Sequence, residues 1–550
     1  MKLPDVRMNL IDRAVAVFAP EAGVARMRAR AQMAVAGAWA GGSTTRLPTA
    51  GWLPYGGSAD VDMLVDRRFL RNRSRDMQRN NPLARGAINT VVTSTVSTGL
   101  VLRATVDAEA LELEEEEAQE WQRATEREFR LWAESPRACD AEAACDFYGL
   151  QSLAFRSCLE SGDVFAVLPM VKRMGSLYDV KVQLIEADRV TNADMSPDTE
   201  GHFGGIKRDK YGAPVEYQIL RKHPGGLMSP SSWEWDTVPA YGARSGRRNV
   251  VHLFDKLRPG QPRGVPYLAP VIEMLKQLSD YTDGELRAAL VSSMFTVFVK
   301  SESGFGLGPD STGAGATTQQ VTGDAMKLGA GAIVDLSPGE DVSFANPNRP
   351  STNFDPFVQA MLRQVGAALE LPFEVLIKHY TASYSAARAS MLEAWRFFNG
   401  RRSWLASNFC QPIYEAWLDE AVARGRVQAP GYFTDPAVRA AYLRAEWVGD
   451  SPGQLDPQKE VDAAVTRLEN NLTTYADETT ALTGRDWHDV IARRGQEEKA
   501  LKAAGLQAPP PPGLFAKPGK APDPNAVPGA PSAPADPTAE PDGDETPEIE

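Results

Sequence analysis

Cysteine is scarce, with 4 in 550 residues, and histidine is nearly so, with 5. Cys139, Cys145, Cys158 and Cys410 form no C-x-x-C pair, and no histidine stands near them at metal-ligand spacing. That argues against a structural zinc site and for reduced, mostly buried thiols in a cytosol-made protein. Long apolar runs are missing too. Ala14 to Phe18 follows Asp12 and Arg13, and Ala289 to Val299 is interrupted by Ser292, Ser293 and Thr296. Neither reaches the roughly 20 residues that span a bilayer, and no export signal is visible. The expectation is a chain that is soluble and intracellular at synthesis, with no membrane partner.

A basic excess is also lacking: the formal net charge is -13. Proteins that grip nucleic acid usually carry the opposite balance, so any DNA contact belongs to local basic patches. Catalytic signatures are absent. There is no G-x-S-x-G elbow and no H-E-x-x-H. Gly304-Phe305-Gly306-Leu307-Gly308 lacks the Gly-Lys-Ser/Thr ending of a phosphate loop and reads as a flexible segment. Asp60 and Asp62 form a D-x-D without metal-binding company, and His202, His223, His252, His379 and His488 are scattered singly. The sequence therefore predicts no catalytic residue, no metal site and no cofactor, and without a nucleotide site the chain cannot itself power DNA movement.

What is present fits a globular protein of two to four structural units, with 43% hydrophobic and 24% charged residues. Residues 1–60 read as an Ala/Gly/Arg-rich arm. Arg67, Arg68, Arg71, Arg73, Arg75, Arg79 and Arg85 follow. They suit either a solvated helix face that meets acidic neighbours or a phosphate-contacting stripe, and both readings stay open. Residues 88–260 mix α and β. Val180, Val182 and Leu184 alternate with Lys181 and Gln183, and Val215, Tyr217 and Ile219 alternate with Glu216 and Gln218, which predicts two half-buried strands. Gly212 and Pro214 place a turn within 209–214, and the acidic stretch Glu109 to Glu128 predicts a helix. The clearest helix covers 265–290, where Leu268, Val271, Ile272, Leu275, Leu278, Leu286 and Leu290 keep helical rhythm and Pro266 suits the first turn. A second helix runs over 354–371 and stops before Pro372. A long one covers 383–424, with a kink or break at Pro412. Residues 431–505 read as a small helical unit. From 506 the Pro/Ala/acidic text predicts disorder.

Five stretches in order carry a resemblance. They are Arg73-Ser74-Arg75-Asp76 with Asn80-Asn81-Pro82 and Ser97-Thr98-Gly99-Leu100; Gly205-Ile206 through Asp209 with Gly212-Ala213-Pro214-Val215; His252-Leu253-Phe254 with Arg258-Pro259-Gly260-Gln261 and Arg263-Gly264-Val265-Pro266; Ser383 to Ala389 with Leu392 to Arg396 and Gln411-Pro412-Ile413-Tyr414; and Trp447-Val448-Gly449 with Asp456-Pro457 and Lys459-Glu460. Over about 60–500 the chain resembles the lambda family of phage portal proteins. The resemblance implies an α+β portal fold: a mixed α/β wing (61–264), a first stem helix (265–290), a small α/β clip (291–353), a second stem helix (354–371), a tunnel loop (372–386), a long wing helix (387–430) and a helical crown (431–505), between an arm (1–60) and a tail (506–550).

It also implies a structural subunit rather than an enzyme. Twelve copies would form a ring at one capsid vertex, in the virion and, during assembly, in the host cytoplasm. Double-stranded DNA would be packaged and ejected through that ring without sequence specificity. Its partners would be the terminase large subunit, the major capsid and scaffold proteins, and head-completion or adaptor proteins. Lys378, His379, Tyr380, Ser383, Tyr384 and Arg388 would lie at the tunnel loop and channel, and Glu273, Lys276 and Arg287 on the first stem helix. For Tyr384 and Arg388, packing or pairing between neighbouring subunits is an equal alternative. The competing readings are another ring-forming head-tail connector and, further off, a DNA-processing enzyme.

Overall fold

A computed structural model describes residues 56–199, 201–226, 233–293, 297–301, 340–344, 354–380, 383–451, 453 and 456–506, with scattered positions between 17 and 54. Most of the arm, the Gly-rich segment from 304 and the tail beyond 506 lie outside the described residues. The chain divides into two compact units, Met1–Pro452 and Gly453–Glu550.

The first unit opens with two capped helices. Ser58 accepts the Val61 N–H to start α1 (Ala59–Asn80). The Asn81 side chain accepts from Leu83 and Ala84 to start α2 (Pro82–Thr95), whose first residue is the proline that suits that place. Strand β1 (Val101–Ala104) leads to α3 (Glu115–Ala133), closed at its start by a reciprocal Glu114/Glu117 capping box. Asp146 then caps α4 (Phe147–Ser161).

Two antiparallel sheets follow. The first joins β2 (Asp163–Val167), β3 (Gln183–Glu186) and β8 (Val250–Phe254) in the order β3-β2-β8. The second is a meander of β4 (His202–Phe203), β5 (Ile206–Arg208), β6 (Pro214–Leu220) and β7 (Trp235–Pro239). Between them sits a small core that includes Phe165, Ile185, Ile206, Tyr217, Ile219 and Val250.

Next comes α5 (Ile272–Ser293). The antiparallel ribbon β9 (Val297–Ser301) and β10 (Glu340–Phe344) separates it from α6 (Phe354–Ala368), which packs back on α5. A short α7 (Phe373–Ile377) precedes α8 (Tyr384–Leu405), a π-helical turn over Ala406–Cys410, and α9 (Gln411–Ala423). Then α10 (Pro436–Tyr442) and β11 (Ala445–Val448) close the unit, β11 pairing antiparallel with β1. The large core is aromatic. Phe129 meets Trp417 edge-on at 5.0 Å and Tyr414 at 5.8 Å, and Trp132, Phe147, Phe409 and Trp447 complete the cluster. The second unit holds α11 (Pro457–Glu469), α12 (Tyr475–Thr483) and α13 (Trp487–Ala503).

The structure moves several expected elements. The helix read from 265 begins at Ile272, because the residues just before it, Ala269-Pro270-Val271, form a 3-10 turn. The second stops at Ala368, where Glu370 turns left-handed (φ 54°) and the Leu371 N–H bonds back to Gly366. The 372–386 loop is shorter than expected: α7 occupies its start and buries Val375 and Leu376, and α8 begins at Tyr384. The break near Pro412 is the π-turn, which frees the proline to open α9. The acidic helix starts at Glu115 rather than 109.

Alternation around 180–184 misleads. Lys181 is as buried as Val180 and Val182, its Nζ donating to Tyr178 O (2.6 Å) and Ser176 Oγ (3.2 Å), and the ladder proper starts at Gln183. The helical unit expected from 431 starts at Gly453 instead. Residues 436–448 belong to the first unit, with Tyr442 in its core and Trp447 packed against it.

Candidate functional site

Two features concern the residues singled out from sequence: a buried ionic cluster and the exposed face of α5 with its following loop. The cluster centres on Asp163, the first residue of β2. Gly162 precedes it at φ +91°, where a Cβ would meet the Gly264 carbonyl carbon at 2.7 Å; a Cβ on Gly264 would lie 1.8 Å from the Gly162 oxygen. Two chain segments therefore cross at backbone contact, which only glycine permits. That crossing brings Arg263 onto Asp163. Its Nε and Nη2 address the two carboxylate oxygens, the latter at 3.1 Å. Its remaining hydrogens go to the carbonyls of Val190 (2.9 Å), Gly204 (2.5 Å) and Ala187 (2.9 Å), and the guanidinium lies 4.9 Å over the Phe165 ring. Both side chains are fully buried.

His252, the cross-strand partner of Phe165, stacks on Phe165 at 4.1 Å and on Phe254 at 4.3 Å, with Nε2 3.3 Å from Asp163 Oδ2. Burial alone would raise the Asp163 carboxyl, but Arg263 and the His252 hydrogen bond together hold it well below the usual carboxylate range. Burial pushes His252 down, so its ring is neutral near pH 7 despite the adjacent carboxylate.

The arginine stripe of α1 splits between its two readings. Arg71 donates from Nη1 to Asp188 at 2.8 Å and sits 3.8 Å from Asp163. Arg75 reaches Asp188 at 2.7 Å and Ser161 Oγ at 3.1 Å. With Arg67 these lie at i, i+4 and i+8, one face turned toward buried acids. Arg68, Arg73, Arg79 and Arg85 face solvent. Asp60 and Asp62 pair with Arg208 (3.2 Å) and Arg258, which gives the D-x-D a structural occupation. From the cluster the chain runs through Gln261, whose Oε1 accepts from Leu257 and Arg258 and whose Nε2 donates to the Arg263 carbonyl at 2.7 Å. It then passes Tyr267, whose hydroxyl donates to Leu369 O, and enters α5.

On α5 the burial changes along the helix. Leu275 and Leu278 are buried, whereas Leu286 and Leu290 are 61% and 54% exposed, so its base is packed and its far end is not. Tyr281 stacks on Phe354 at 5.6 Å and meets Phe357 edge-on at 5.1 Å, holding α6 alongside. Glu273, Lys276, Asp280, Asp283 and Arg287 share one exposed stripe at helical spacing. Lys276 is engaged by Asp280, and Glu273 accepts from Gln277 at 3.2 Å. The stripe is thus mixed in sign, with acids in the majority.

The loop after α7 exposes Lys378, His379 and Tyr380 in succession. Lys378 caps α7 in the left-handed region (φ 56°), and Tyr380 OH approaches Met391 Sδ at 3.8 Å. Ser383 caps α8 by accepting the Ala386 N–H at 3.4 Å. Arg388 is exposed on α8, and the Tyr384 side chain lies outside the described residues. The structure therefore gathers Lys378, His379, Tyr380 and Ser383 on one loop and Glu273, Lys276 and Arg287 on one helix face. Sequence reading missed the Asp163 cluster: its members are spread from 67 to 263, and no local pattern joins them. Among the described residues no group of three or more His, Cys, Asp or Glu could hold a metal, and no helix is long and apolar enough to cross a membrane.

Comparison with known proteins places this architecture among ring-forming components of viral heads. Residues 45–402 match the family model for phage portal proteins of the lambda family, so the chain belongs to that family. It is 28% identical over 492 residues to portal protein B of Escherichia phage lambda, covering 86% of this chain and 91% of the relative. It is 28% identical over 477 residues to the portal protein of Escherichia phage N15, covering 84% and 89%. Among solved structures, the neck of a native gene transfer agent particle computed with C12 symmetry shares 13% identity at a TM-score of 0.37, covering 80% of this chain and 98% of that one. Portal proteins are structural virion components that form oligomeric rings at the capsid vertex.

Proposed function

We propose that this chain is the subunit of a portal ring of about a dozen copies, joined by a head-to-tail interface that closes on itself. In it α5 and α6 act as the stem around the channel, the segment between them as the clip, and the two sheets with α8 and α9 as the wing. The helices after Gly453 form the crown. The clip receives the terminase large subunit during packaging and head-completion or adaptor proteins afterwards. The outer surface meets major capsid and scaffold proteins.

One observation carries the channel assignment. The α5 stripe Glu273, Lys276, Asp280, Asp283 and Arg287 is exposed and mixed in sign, with Lys276 already engaged by Asp280. Phosphate contacts supply most non-specific DNA affinity, so a cationic bore would grip and brake the duplex. A mixed stripe lets it slide. Lys378, His379, Tyr380 and Ser383 on the loop, with Tyr384 and Arg388 at the start of α8, form the nearest approach to DNA. The work is mechanical rather than catalytic, and the chain serves as conduit and docking platform.

Light scattering with negative-stain imaging of the same purified fraction tests the reading. The expected particle is a ring of about a dozen subunits with a central hole. A compact dimer under all assembly conditions would overturn it.

A further inference from the structure

The second unit has almost no interior. Among its described residues only Ala464 and Glu478 are buried. Its longest helix, α13, runs 17 residues and buries none of them. A helix of that length is marginal in water unless a face is packed, and a unit this small depends on its core. Its internal ties are few. Arg467 clasps Glu478 through Nε (2.7 Å) and Nη2 (2.8 Å), and Tyr475 stacks on Trp487 at 5.1 Å. These contacts orient three helices without making a core.

Two complementary surfaces remain open. On α11 and just past it, Val461, Val465, Leu468 and Leu472 follow at i, i+4, i+7 and i+11, the spacing of an apolar seam. Val461, Val465 and Leu472 are 45%, 44% and 76% exposed, and Asp462 and Glu469 flank the seam. Along α13 a groove of about 520 Å³ is lined by Val490 and Leu501 with Arg485, Arg493 and Arg494. Arg493 and Arg494 reach their own Glu497 and Glu498 only at 3.8 and 3.7 Å, exposed contacts that hold little. An acidic helix with an apolar seam fits a basic groove with an apolar floor. Both surfaces are open at once on the same unit, so the pairing that closes both is between copies. Repeated head-to-tail, that pairing closes a ring.

We propose that this unit completes its fold only against a second copy of this chain, with α11 of one copy seated in the α13 groove of the next. The proposal rests on the ring reading above and adds that the unit orders on assembly. Hydrogen–deuterium exchange of the full chain, in ring and monomer fractions separated by size, tests it alongside Val461→Asp/Val465→Asp. Amides of 457–503 are expected to exchange at least about tenfold more slowly in the ring than in the monomer. In the double variant they lose that protection while the first unit keeps its own. Equal protection in the monomer would mean that the chain covers its own seam, and overturns the proposal. Rapid exchange in well-formed rings overturns it as well, with the portal reading intact. If no ring forms under any condition, the portal reading fails and this inference fails with it.

Discussion

Asp163→Asn is the most informative single change. Asparagine keeps the size of the side chain and one acceptor but removes the charge facing Arg263, which is fully buried. Its amide NH2 also turns a second donor toward the guanidinium. Arg71, 3.8 Å from the same carboxylate, loses part of its counter-charge, and His252 loses its acceptor. Removing one partner of a buried pair costs about 3–5 kcal/mol. That is a large share of the roughly 5–15 kcal/mol by which domains are stable. Thermal unfolding and hydrogen exchange of β2 and β8 read the loss.

Arg263→Met alone should also be costly, because it strands Asp163. In the pair Asp163→Asn/Arg263→Met no charge is stranded, so the double variant should be less destabilised than the sum of the singles by about 2 kcal/mol or more. It will not return to the parent, since the carbonyls of Ala187, Val190 and Gly204 lose their donor. A loss below about 1 kcal/mol for Asp163→Asn, or strict additivity in the cycle, would refute the view that this cluster anchors the entry to α5.

Acid should weaken the same cluster. His252 is held below its ordinary 6.5, so from there downward the unfolded chain takes up a proton that the folded one resists. Asp163 is held below 3.8, and the stability it contributes above that value is lost as pH falls through its folded value. Both act in one direction, at most about 1.4 kcal/mol per pH unit for each group. A melting temperature whose pH slope is unchanged by His252→Phe would count against this account. Gly264→Ala should cost about 3 kcal/mol or more, because its new methyl meets the Gly162 oxygen at 1.8 Å; a soluble, normally melting variant would show that the crossing can relax. Lys378→Glu should leave ring assembly intact and change packaging yield or genome retention, and unchanged values of both would remove the loop from the DNA path.

Periodicity made part of this fold legible. The α5 rhythm, the break before Pro412 and the turn in which Asp209 Oδ1 caps Tyr211 and Ala213 all follow from spacing or from a single residue's chemistry. Where a side chain's partner lies far along the chain, local pattern says nothing. Asp163 and Arg263 are 100 positions apart, and neither carries a mark of burial in its neighbours. Lys181 shows a related failure: alternation assigns it outward, yet its stem is buried and its ammonium satisfied by backbone oxygens. The true boundary at Gly453 was hidden because β11 looks like any short strand until its distant partner is known. The site residues were named through family resemblance, and only the coordinates reveal that Lys276 already has Asp280.

That distant partnership has a consequence for synthesis. β1 at Val101–Ala104 pairs only with Ala445–Val448. At about 5–20 residues per second a ribosome needs roughly 17–70 s to make the intervening chain. Throughout that interval β1 hangs as an unpaired edge beside a core that still lacks Tyr414, Trp417 and Trp447. The nascent polypeptide thus passes through a long, sticky adolescence, and the cell that makes it has most need of chaperones just before translation ends.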